Sequence, residues 1–137
     1  MFFQYHSEDK MKTTNIEIRK ITFNNFEFKV NESEEIERDG KATISMDLPD
    51  REANQNNQII LINMNVDYKD SRYSILAEID SVYSVSVHDL PQDISKDVKF
   101  QQALINPMVE KLRLYIGLFS DGAYGAIQIP NLHFSND

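Results

Sequence analysis

The sequence predicts an α+β fold: a four-stranded antiparallel sheet followed by one long C-terminal helix and a short extended tail. Three observations predict it. Apolar residues alternate with period two in successive segments between residues 15 and 88. From Val98 the spacing changes to threes and fours, which is the period of a helix. Short turns join most of the strands, so neighbours run antiparallel and the helix packs on one face. A chain of 137 residues suits one domain with a modest core.

Residues 1–14 read as a loosely ordered start, with Phe2, Phe3 and Tyr5 able to pack and a polar run from Ser7 to Lys12. Asn15 to Val30 reads as the first strand. Its apolar residues change phase twice, from Ile16 and Ile18 to Ile21 and Phe23, then to Phe26, Phe28 and Val30. Such changes require a bulge or a bend, and Asn24-Asn25 is one place for it. Residues 31–39 are acidic and read as a solvated connection, in which the Asn31-Glu32-Ser33 glycosylation sequon is a chance match. Ala42, Ile44, Met46 and Leu48 mark a half-buried strand that Pro49-Asp50 stops.

Ile60, Ile62, Met64, Val66 and Tyr68 give the cleanest alternation in the chain. Lys69-Asp70-Ser71 then forms a tight hairpin turn. The return strand carries Tyr73, Ile75, Ala77, Ile79, Tyr83, Val85 and Val87 in one phase, with Ser81 interrupting. Asp89 to Asp97 is a crossover loop. In the helix, expected over residues 98–120, Leu104, Met108, Leu112, Ile116 and Phe119 form one stripe. Pro107 either starts the main helix or kinks a longer one. Asp121-Gly122 is expected to end it, with Gly122 or Gly125 as the left-handed cap. Residues 126–134 form the extended tail.

A net charge of −8 argues against nucleic acid as a partner. The absence of cysteine excludes disulfides and thiolate chemistry. The N-terminal MFFQYHSEDK lacks the basic and apolar regions of a signal peptide. No apolar stretch approaches the ~20 residues that span a bilayer. The expected location is the cytoplasm, with no direct membrane insertion.

Catalytic signals are missing. His6, His88 and His133 lack metal-ligand spacing, and the four glycines make no phosphate-binding loop. The acidic run from Glu32 to Asp39 reads as solvated charge. No catalytic residue, metal site or cofactor is expected, and the chain is not expected to be an enzyme. One feature of the pattern is unusual. Ile59, Leu61, Leu76 and Val82 fall in the phase opposite the main apolar rows. They are either ordinary surface apolar residues or part of a second apolar face, covered by a subunit or an unfolded chain.

The order of elements resembles the SecB family of protein-export chaperones across most of residues 15–134. Two stretches carry the resemblance. One is Asn106-Pro107 through Phe134, where a proline leads into the helix, small residues from Ser120 to Gly125 turn the chain, and Pro130-Asn131-Leu132-His133-Phe134 extends from it. The other is YSILAEIDSVYSV, residues 73–85, similar to the family's last strand, with Leu76 and Glu78 as its "L-x-E" element. The chain is similar to the short SecB-like proteins of Gram-positive bacteria.

The resemblance implies an ATP-independent chaperone that binds unfolded or precursor polypeptides and passes them to the export ATPase SecA. It implies a homo-oligomer, a dimer or dimer of dimers. By position, Leu76 and Glu78 would face SecA, and Ile59, Leu61 and Val82 would contact clients. Asn25 and Lys29 stand where the family carries acidic residues, and the family's second helix has no counterpart before Asp137. Both departures bear on SecA docking. The alternative is a SecB-fold adaptor that binds one specific protein partner without general holdase activity.

Overall fold

Strand β1 (Ile16–Val30) keeps its apolar side chains on one face because it carries two bulges. Its pairing with β4 (Tyr73–Ser86) shifts register between Ile18 and Lys20 and again between Phe23 and Asn25. Each extra residue, Arg19 and Asn24, resets the period-two pattern. Ile21 and Phe23 thereby join Ile16, Phe26 and Phe28 opposite Ser81, Ile79, Val85, Ala77 and Ile75. The computed structural model in which these elements are seen describes residues 15–32, 35–130 and 132. The expected loose start, His6, Ser33, Asn131, His133 and Phe134 lie outside the described residues.

Strands β2 (Asp39–Asp47) and β3 (Asn57–Lys69) complete one antiparallel sheet in the order β1-β4-β3-β2. The two most apolar strands are therefore central. Asp70 closes the β3–β4 hairpin: its N–H donates to the Tyr73 carbonyl at 2.9 Å, and its carboxylate accepts from the backbone N–H of Arg72 and of Tyr73. After β4 come two short 3-10 turns, Val87–Asp89 and Ile94–Lys96, in the crossover. Helix α1 (Val98–Tyr124) follows. The Asp97 side chain caps it by accepting from the Phe100 N–H at 3.0 Å.

The core lies between α1 and one face of the sheet. Ile60, Met64, Ile79, Tyr83, Leu104, Met108 and Leu112 are each fully buried. Every such large apolar side chain contributes about 1.5–3 kcal/mol by leaving water. Alpha-helical coverage falls mainly on β1 and β4. Phe23 stacks on Tyr115 at 4.1 Å between ring centroids, and Phe119 packs against Phe26 and Phe28. Lys111 reaches over the edge of β1 and donates to the Ile21 carbonyl at 2.5 Å.

Pro107 lies inside α1 and does not start it. Its missing N–H leaves the Ala103 carbonyl without a helical donor. Ala103 is exposed, so water is at hand. The helix also runs through Asp121-Gly122 to Tyr124. Gly122 weakens a helix without forbidding it. The stop is Gly125, at φ +74°, whose N–H donates to the Asp121 carbonyl at 2.8 Å.

Candidate functional site

The uneven cover of the sheet leaves a groove. Ala42, Ile44 and Met46 of β2 point to the helix side, yet α1 does not fully reach them and they stay half-buried. Leu48, just beyond the strand, is 39% exposed. The crossover rises opposite them. Gln101 pins it to the helix by donating to the Ile94 carbonyl at 2.7 Å. The result is a cavity of about 670 Å³ walled by Ile44, Met46, Leu48, Pro91, Ile94 and Ile105, with Gln92, Asp93, Ser95 and Gln101 at its polar margin. That volume and its apolar walls match sites that take small molecules or peptide side chains. One wall is β2, an edge strand of the sheet, with no strand on its outer side among the described residues.

The opposite face of the sheet holds all five residues singled out by pattern and resemblance. Leu61 and Val82 are cross-strand partners, and Ile59 pairs with the neighbouring Ser84. These three are half-buried and form one small apolar patch. Leu76 and Glu78 lie toward the other end of β4, opposite Asp67 and Asn65. Leu76 is 44% exposed. From Val82 to Leu76 is about 20 Å along the strand at ~3.4 Å per residue.

Polar side chains separate the two groups. Asn63 donates to Glu78 at 2.9 Å and to Asp80 at 2.7 Å, while Asn24 on the second bulge donates to Asp80 at 2.5 Å. The hydrogen bonds from Asn24 and then Asn63 hold the Asp80 carboxyl below its usual range. Asn65 donates to Asn63 at 2.8 Å and extends the row. Asn25 lies directly across from Glu78, and Lys29 across from Ser74. Three positions named by the resemblance are thus neighbours: Asn25, Leu76 and Glu78, with Asn65 among others, line a shallow depression of about 290 Å³, and Lys29 lies outside it.

The pattern of the sequence pointed to the open face and missed the groove. One signal could have found it. Leu48 continues the apolar phase of β2 past the end of pairing, and the crossover brings Leu90, Pro91 and Ile94 in a segment otherwise polar. Among the described residues there is no cluster of three or more histidine, aspartate or glutamate side chains arranged to hold a metal. Among them, too, no helix is long and apolar enough to cross a membrane.

The architecture defines the class: an antiparallel sheet covered on one face by a single long helix, with an apolar groove beside an edge strand. No family model matches the chain, and no curated protein matches it by sequence. Several solved structures share the fold. A protein of unknown function from Streptococcus agalactiae superposes with a TM-score of 0.71 at 11% identity, over 88% of this chain and 99% of that one. The Mycobacterium tuberculosis SecB-like chaperone Rv1957, in complex with a ChAD peptide from the Rv1956 HigA1 antitoxin, superposes with a TM-score of 0.51 at 12% identity, over 89% and 91%. The likeness extends the family resemblance from sequence layout to three-dimensional fold.

Proposed function

We propose that this protein is a SecB-like, ATP-independent chaperone that binds extended segments of non-native polypeptide. The observation that carries the reading is the groove between β2 and the crossover. It sets apolar side-chain space beside the free edge of a strand, the two things an extended peptide uses when it adds to a sheet. Main-chain bonds to β2 would hold any sequence, and Met46 gives an adaptable wall.

The apolar patch of Ile59, Leu61 and Val82 offers clients a second contact, and Leu76 with Glu78 provides a face for SecA. A row on the outer side of α1, with Leu114 66% and Leu118 70% exposed, suits assembly into a homo-oligomer. The cytoplasm is the compartment this reading requires.

A second reading has its own support. The structural neighbour Rv1957 was seen in complex with a peptide from one antitoxin, which supports a single-partner adaptor as much as a general chaperone. Light scattering separates them. An unrelated chemically unfolded protein is diluted into buffer with and without this chain. Suppression of aggregation at near-stoichiometric amounts, weakened by Met46→Gln, is the expected outcome. A folded, multimeric protein that suppresses nothing would leave the adaptor reading standing.

A further inference from the structure

At the end of α1 remote from the groove, the chain turns at Gly125 and lies back along the helix. Gln128 is held at three points. Its N–H donates to the Ser120 hydroxyl at 2.8 Å, its carbonyl accepts from the Tyr73 hydroxyl at 2.7 Å, and its side-chain oxygen accepts from Arg72 at 3.1 Å. Tyr73 and Ser120 are both 0% exposed. Ile127 and Ile129 flank this anchor and lie over Gly117, where an added Cβ would stand 3.3 Å from the Ile129 Cδ1. Pro130 is buried and Leu132 packs against the core.

The floor of this slot is built for a guest. Glycine in a helix interior is unfavourable, yet Gly117 leaves the space that Ile129 fills. Two of the three polar contacts reach the backbone of Gln128, which every extended peptide offers. The last turn of α1 and the link from it to the strap are open to solvent. Residues 121–126 are all exposed, nothing lies within 4 Å of a Cβ at Gly122 or Gly125, and Ile127 is 67% exposed.

We propose that Gly117, Ser120, Tyr73 and Arg72 form a binding site for an extended partner peptide, and that residues 126–130 occupy it in cis as a displaceable strap. The ligand is a segment with the strap's own chemistry: apolar, hydrogen-bonding, apolar, then proline. The seated strap itself shows what fits. This site is separate from the groove and does not depend on the reading given to it.

The test uses the full chain and a fluorescein-labelled peptide, GAIQIPNL, followed by anisotropy. Ile129→Asp prevents the strap from seating and leaves the slot intact. It should bind the peptide at least tenfold more tightly than the unaltered chain. Adding Gly117→Leu should remove that gain, and adding Met46→Gln, in the groove, should not. No gain with Ile129→Asp, while circular dichroism shows the fold retained, overturns the proposal. So does a strap-exchanged dimer that binds no peptide, since the slot would then serve a second copy. Should Ile129→Asp lose its fold, hydrogen exchange of the unaltered chain decides. A Gln128 amide exchanging at least a hundredfold faster than that of Leu112 supports a strap that opens by itself; equal rates overturn it.

Discussion

The Tyr83 hydroxyl donates to the Leu104 carbonyl at 2.5 Å, tying the last third of β4 to the helix one turn before Pro107. Two residues back, Ser81 donates to the Met108 sulfur at 3.2 Å. The hydroxyls of Tyr83 and Ser81 on the buried face of β4 thus both serve the helix. Tyr83→Phe keeps the ring and loses the bond. It should cost about 1–2 kcal/mol in a urea melt. Ser81→Ala should cost less, because a thioether is a weak acceptor.

Asp70 makes the β3–β4 hairpin sensitive to acid. Asp70 is 7% exposed, and its carboxylate accepts from Tyr68 at 2.8 Å, from the Arg72 guanidinium at 2.7 Å and from two backbone N–H groups. Burial alone would push its carboxyl up. Hydrogen bonds from Arg72 and Tyr68, then from the backbone of Tyr73 and Arg72, outweigh it and hold the group below its ordinary value. A lowered folded pKa means stability that is fully present above the unfolded value of about 3.9 and is lost as pH falls through the folded one. Asp70→Asn should therefore cost about 2–3 kcal/mol at pH 7. Its melts should also depend less on pH below about 4 than those of the unaltered chain. The acid sensitivity that remains is expected at Asp80, whose carboxyl is lowered as well.

The strands were legible because each central strand buries one face. Ile60 to Tyr68 and Tyr73 to Val85 alternate, and the structure places those rows against α1. The bulges were legible as phase changes, one of them at Asn24. Tertiary contacts decided what was not. Pro107 is as compatible with a start as with an interior position until the sheet below it is known. The groove depends on α1 lying toward β1 and β4, and no local pattern encodes that offset. The polar row of Asn24, Asn63, Glu78 and Asp80 depends on strand order, which puts residues from three strands side by side.

Leu114 and Leu118 are one turn apart on the outer side of α1 and both are exposed. Neither is a member of the core. Replacing both with glutamine should change stability by no more than about 0.5 kcal/mol per site in a monomer. If the row joins copies of this chain, sedimentation velocity should show the double variant shifting to smaller species at micromolar concentration. An unchanged distribution would move the interface elsewhere, and the outer edges of β1 and β2 are the next surfaces to alter.

The groove and the open face make opposite predictions for client binding. Met46→Gln keeps the length of the side chain and places an amide in an apolar wall. A peptide side chain seated there would leave that amide unpaired, at a cost of about 1–3 kcal/mol, or roughly tenfold to a hundredfold in affinity. Leu61→Gln makes the same change on the far side of the sheet, beside Val82. An unfolded client titrated by fluorescence against both variants assigns the contact. Loss with Met46→Gln alone places the client in the groove. Loss with Leu61→Gln alone places it on the open face and leaves the groove without a client. Leu76→Ala with Glu78→Ala should leave client binding intact and weaken SecA in a pull-down. If that pair changes neither, Leu76 and Glu78 are not a SecA surface.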